Sequence, residues 1–121
     1  MAIRWLSDNS LVRTFEGHQD FVTCVVVLAD DKQIISGSGE LIMHNVIDGS
    51  VRQKFKGHKD CIRSLALSVN SSTLVSGSDD GQVLVWDVLT AAVMRRLSHE
   101  DSVWGVAISF DNIIASCTID N

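Results

Sequence analysis

Histidine, serine and aspartate are the residue types of nucleophilic catalysis, and this chain repeats them at fixed offsets. His18 precedes Ser36, His58 precedes Ser76 and His99 precedes Ser116, with Asp80 and Asp120 following the second and third serines. Such a set hydrolyses acyl bonds when the serine is exposed, the histidine takes its proton and an oxyanion hole faces both. An active site is built once, however, and a pattern that returns at intervals of about 40 residues belongs to the frame. His44 has no second His, Cys or carboxylate beside it at metal-ligand spacing. Cys24, Cys61 and Cys117 are odd in number and widely spaced, which suits neither a zinc site nor a disulfide framework. They are expected to be small buried apolar residues in a reducing compartment. The expectation is a protein without catalytic residues, cofactor or metal, and not an enzyme.

Composition narrows the class further. With 121 residues the chain has room for one domain, and 45% hydrophobic residues is ordinary for a packed core. A net charge of −5 argues against nucleic acid, which calls for a basic stripe. No run of apolar residues is long enough to span a membrane, and Arg4 and Asp8 interrupt the one early apolar stretch that could open a signal peptide. A cytoplasmic or nuclear location is therefore expected. Proline is absent, so turns must be made by Gly, Asn, Asp and Ser.

The elements that position the repeated residues are short strands. Phe15-Glu16-Gly17-His18 returns as Phe55-Lys56-Gly57-His58 and, more weakly, as Leu97-Ser98-His99. Ser36-Gly37-Ser38 returns as Ser76-Gly77-Ser78 and as Ser116-Cys117-Thr118. Within the middle unit, strands are predicted over Cys61–Leu67, Thr73–Ser76, Val83–Trp86 and Val93–Leu97. Asn70-Ser71-Ser72 separates the first two, and Asp79-Asp80-Gly81 makes a tight turn in which glycine supplies a positive φ. Strands at this spacing, with no sustained helical period, predict an all-β protein.

Gly57-His58, Ser76, Asp80 and the pair Trp86-Asp87 resemble the signature of a WD repeat. Each such repeat forms one four-stranded blade of a β-propeller, and the resemblance spans essentially the whole chain. It implies that His58, Ser76, Asp80 and Trp86 form a buried hydrogen-bonded tetrad, with Ser78 a weaker candidate for the serine. His18 and Ser36, His99, Ser116 and Asp120, and Trp5 take the matching places in the other repeats. Indole donates, serine and imidazole donate and accept, and carboxylate anchors the end, so the set can satisfy itself.

The first full repeat departs from the pattern. Gly39-Glu40 replaces the longer Asp79-Asp80-Gly81-Gln82, which removes the turn carboxylate. His44 then falls at the tryptophan position and Asn45 at the aspartate after it, so this blade should be the less stable one. The ends complement each other. Ala2–Leu6 and Leu11–Phe15 read as third and fourth strands, while the C-terminal segment stops after two. The whole of 1–121 is then one WD-repeat region: a half-blade over 1–15, the eroded blade over 16–55, a complete blade over 56–97 and a half-blade over 98–121. Propellers close with four to eight blades, so three cannot close alone. The chain is either a segment of a longer propeller or self-associates, two copies closing six blades.

In WD-repeat proteins, partners commonly dock where the channel opens. By position this implies Thr23, Arg63 and Trp104 at the mouth, surrounded by Phe21, Lys59, Asp79 and Glu100. Trp and Arg are frequent at binding hot spots. The function expected is a scaffold or adaptor that binds a protein or peptide. The alternatives are a decayed fragment of a longer WD-repeat protein, or the target-recognition part of a larger enzyme.

Overall fold

The computed structural model describes residues 2–4, 11–18 and 21–118. They form twelve antiparallel strands and no helix. β1 (Ala2–Arg4) pairs with β2 (Leu11–Thr14) in a two-stranded sheet. β3 (Cys24–Val27), β4 (Gln33–Gly37), β5 (Leu41–Asn45) and β6 (Val51–Phe55) make the first four-stranded blade. β7 (Ile62–Leu67), β8 (Thr73–Ser78), β9 (Gln82–Asp87) and β10 (Ala92–Ser98) make the second. β11 (Val103–Ile108) and β12 (Ile114–Thr118) pair as a final two-stranded sheet. The chain is thus an all-β propeller segment of full and half sheets. In the second blade the strands run slightly beyond the apolar cores read from sequence, except that Cys61 lies just outside β7; β2 ends one residue short, at Thr14.

Local chemistry explains the repeated hairpins. Asp31, Ser71 and Asn112 all adopt left-handed backbone, with φ of 58°, 60° and 62°, at the same turn of successive repeats. Small polar residues tolerate that conformation because their side chains bond nearby backbone. Asp30 accepts from the Lys32 amide at 2.9 Å, and Asn70 from the Ser72 amide at 3.1 Å. Between β8 and β9 the turn residue is Gly81, with φ of 82°. A Cβ there would meet the His99 carbonyl oxygen at 2.4 Å, so glycine is required both by conformation and by the close approach of the next repeat.

Each blade buries its middle strands on both faces and leaves its outer strand to solvent. β4, β5, β8 and β9 are almost entirely buried, whereas β10 is mostly exposed. The outer strands carry Arg52, Lys54, Arg95 and Arg96, charges that discourage pairing with a foreign edge. One face of the second blade packs Ile62, Leu74, Leu84 and Trp86 against Ile35, Leu41, Met43 and Phe55 of the first. Its other face packs Val75, Val83 and Val85 against Val103, Val106 and Ile108. Adjacent apolar faces therefore share cores, as stacked repeats require. On the first blade, Val25 and Val27 remain 49% and 55% exposed, and they lie on the face of β3 turned away from the second blade.

The expectation for the cysteines is corrected. Cys24 and Cys61 are only partly buried and Cys117 is exposed, because Cys24 and Cys117 lie on strands whose faces are not fully covered and Cys61 lies in the loop before β7.

Candidate functional site

Four side chains of the second blade form one continuous hydrogen-bonded chain. Trp86 Nε1 donates to Ser76 Oγ at 2.8 Å, and Ser76 Oγ lies 2.5 Å from His58 Nε2. His58 Nδ1 lies 3.2 Å from Asp80 Oδ2. The carboxylate also accepts the Lys59 amide at 2.9 Å and the Gln82 amide at 2.8 Å. Burial lowers the His58 pKa, although Asp80 pulls the other way. The neutral ring therefore donates from Nδ1 and accepts the serine proton at Nε2. Burial alone would raise the Asp80 pKa, but the amides of Lys59 and Gln82 and the His58 ring outweigh it and hold it below the ordinary value. Ser76 and Trp86 are wholly buried. The Ser76 hydroxyl is used in both directions, accepting from indole and donating to imidazole, so this Ser-His-Asp set offers no nucleophile to a substrate. Ser78, the weaker candidate, instead contacts the Asp60 carbonyl at 3.2 Å and the Asp80 amide at 3.2 Å.

The first blade solves the same problem with different residues. His18 Nε2 lies 2.7 Å from Ser36 Oγ, as His58 does from Ser76. The place of the turn carboxylate is taken by Ser38, whose Oγ lies 2.9 Å from His18 Nδ1. Repetition of Ser-Gly-Ser signalled this residue, but its role depends on the shortened turn. His44, wholly buried, donates from Nε2 to the Glu16 carbonyl at 2.6 Å and packs on Phe15 with ring centroids 5.2 Å apart. Its Nδ1 finds no hydrogen-bond partner among the described residues. In the last half-blade His99 Nε2 lies 3.1 Å from Ser116 Oγ. Trp5 and Asp120, assigned to the same set, lie outside the described residues. Among the described residues no cluster of His, Cys, Asp and Glu could hold a metal.

A second constellation lies at the surface. β7 carries one extra residue between Ile62 and Ser64, which pair with Ser78 and Gly77. β11 carries one between Val103 and Gly105, which pair with Thr118 and Cys117. These are β-bulges, which re-aim the extra side chain. The extra residues are Arg63 and Trp104. Arg63 donates from Nε and Nη2 to the two Asp79 oxygens at 3.0 and 2.8 Å, and its guanidinium stands 5.4 Å from the Trp104 ring centroid. Pairing with Asp79 raises the Arg63 pKa, and the same hydrogen bonds lower that of Asp79. Trp104 remains 55% exposed, so one of the largest apolar side chains in the chain is held at the surface by a stacked cation.

The remaining surface candidates are dispersed around this cluster. The Thr23 hydroxyl is engaged with the carbonyls of Ile62 and Gly37, tying the first blade to the second. Phe21 is 87% exposed and lines a concavity of about 550 Å³ with Thr23, Cys24 and Val25. Lys59 lines a separate cleft with Gly57, Gln82 and Arg96, and Glu100 is exposed. The structure thus joins Arg63, Asp79 and Trp104 directly. It gives Thr23 a structural bond and places Phe21 and Lys59 in separate concavities.

Comparison with known proteins gives a consistent result. A family model described as "WD domain, G-beta repeat" matches residues 9–53 and 49–87. No curated protein sequence matches. Among solved structures, the β-propeller domain of Cps50 (Swd1) from Myceliophteria thermophila superposes with a TM-score of 0.78 at 21% identity, over 86% of this chain and 34% of that one. U3-55K superposes with a TM-score of 0.75 at 28% identity, over 79% of this chain and 32% of that one. The chain spans about a third of the length of these structures.

Proposed function

We propose, on the premise that this chain belongs to the WD-repeat family, that it is a protein-interaction module using the surface around Arg63, Asp79 and Trp104. One observation carries the reading: Trp104 is exposed while its position is held by Arg63, itself clamped by Asp79. An aromatic fixed at the surface offers contact area at low entropic cost, which is what a hot spot needs. Phe21, Lys59 and Glu100 form the surround, and a protein or peptide is the partner class. Ser76, the serine best placed beside a histidine and a carboxylate, is internally bonded, which favours recognition over hydrolysis for this segment.

Affinity capture with the wild-type chain, Trp104→Ala, Arg63→Ala and a control Arg52→Ala tests the reading. Proteins retained by wild type and Arg52→Ala but lost by the other two support it, and an identical set from all four defeats it. The uncovered face bearing Val25 and Val27 is proposed to be covered by further blades. Where the chain stands alone, a second copy closing six blades takes their place. A folded species of monomer mass at every micromolar concentration in sedimentation equilibrium would remove that second copy.

A further inference from the structure

The tetrad and the surface cluster leave one pair of chemically active groups unused. Cys24 opens β3 of the first blade, and Cys61 immediately precedes β7 of the second. Their sulfurs converge on a single acceptor: Cys24 Sγ lies 3.9 Å and Cys61 Sγ 3.7 Å from the Ile62 carbonyl oxygen. That carbonyl also receives the Thr23 hydroxyl, so this is the point where the innermost strands of the two blades meet. Both cysteines are partly exposed, and peroxide can reach them. Cys24 is the first paired residue of β3, opposite Gly37, and Cys61 lies in the loop just before β7, whose side chain can turn toward it.

We propose that Cys24 and Cys61 are an oxidisable dithiol whose disulfide clamps the first blade to the second. The oxidant class is a peroxide, and the chemistry balances in two steps. The Cys61 thiol gives up its proton, its sulfur attacks one oxygen of hydrogen peroxide, the O–O bond breaks, and the departing hydroxide takes up that proton, so that sulfenic acid and water form. The Cys24 sulfur then attacks the Cys61 sulfur and the S–O bond breaks. The departing hydroxide takes the Cys24 proton as a second water. In sum, two thiols and one peroxide give one disulfide and two waters. Burial raises the Cys24 pKa, which disfavours its own attack on peroxide. The sulfurs must close to about 2.05 Å, with Cα atoms within about 7 Å of each other.

The location gives the bond a consequence. The first blade lacks the indole and the turn carboxylate that brace the second, and the crosslink would tie it to its stronger neighbour. It would also lie beside Thr23 and two residues from Arg63, whose charge interacts with Cys61, so oxidation would be sensed on the proposed binding rim.

The test uses the full chain carrying Cys117→Ser, which removes the exposed third thiol. After hydrogen peroxide, intact mass should fall by two hydrogens, and a non-reducing digest should join the peptides containing residues 24 and 61. Adding Cys24→Ser should abolish the hydrogen loss and leave a sulfenic acid at Cys61 that dimedone traps; Cys24→Ala serves if the serine variant does not fold. The urea midpoint of the oxidised chain should rise and return with dithiothreitol. Recovery of both thiols in alkylatable form after peroxide would overturn the proposal, as would separate oxygen uptake at each sulfur. A joined peptide pair with an unchanged midpoint would overturn the clamp.

Discussion

The two complete blades are built from one repeat and differ in how they fill one buried position. In the second, Trp86 reaches Ser76, and Asp80 collects His58 and two backbone amides. In the first, His44 reaches a backbone carbonyl instead of Ser36, and Ser38 stands where a carboxylate would be. The first blade keeps the hydrogen-bond count of its histidine but loses charge assistance, one indole and the link between strands that the indole made. Hydrogen bonds to ionised groups are about twice as strong as neutral ones, so equal geometry does not mean equal stability. An eroded repeat can thus keep its fold by substituting neutral partners while becoming the softer half of the pair.

The largest expected difference is at the indole position. Trp86→Ala empties a wholly buried site and strands the Ser76 hydroxyl, and should cost about 3–5 kcal/mol. His44→Ala removes a smaller ring whose Nδ1 has no hydrogen-bond partner among the described residues, and should cost much less. Urea unfolding of both variants checks this, and equal losses would mean that the two positions are not counterparts.

The carboxylate comes next. Asp80→Ala leaves two amides and an imidazole N–H without their acceptor, at about 1–3 kcal/mol for each group that stays buried. Ser38→Ala removes one neutral hydrogen bond and should cost about 1 kcal/mol. Thermal or urea midpoints should rank the two in that order.

A smaller contrast should appear with pH. His18 and His58 both have pKa values lowered below 6.5, chiefly by burial. Below pH 6.5 the unfolded chain binds protons that the folded chain refuses, so stability should fall as pH drops from 7 toward 5. Among the described residues His58 has a hydrogen-bonded carboxylate, Asp80, to offset this. Asp80, with its pKa lowered below 3.8, contributes stability that persists until the pH falls through its folded value. His18→Gln should therefore flatten the midpoint-versus-pH curve between 7 and 5, and an unchanged slope would show that His18 does not drive it.

The smallest effect separates the outer turns. Ala91 holds φ at 59° where the first blade has Gly49 at 74°. Left-handed backbone costs a non-glycine residue about 1–2 kcal/mol, while glycine costs more unfolded-state entropy. Ala91→Gly should stabilise the chain by up to about 1 kcal/mol, read as a small rise in midpoint, and Gly49→Ala should do the reverse.

Much of this architecture is visible in the sequence because its causes are local. Short apolar alternation makes strands, and Asn70, Asp80 and Gly81 make turns wherever they occur. The in-phase return of His18, His58 and His99 then reveals the repeat without any knowledge of packing. The tetrad residues of the second blade follow from that phase. Three other features depend on contacts between residues far apart. Ser38 replaces a carboxylate only because the shortened turn carries it to His18. Arg63 and Trp104 meet only because bulges in two different sheets aim them at one another. Cys24 and Cys61, unremarkable by spacing, converge because adjacent blades bring their inner strands to the same carbonyl. Chain-neighbour chemistry determined the strands and turns, and the stacking of one blade on the next decided which side chains share a site.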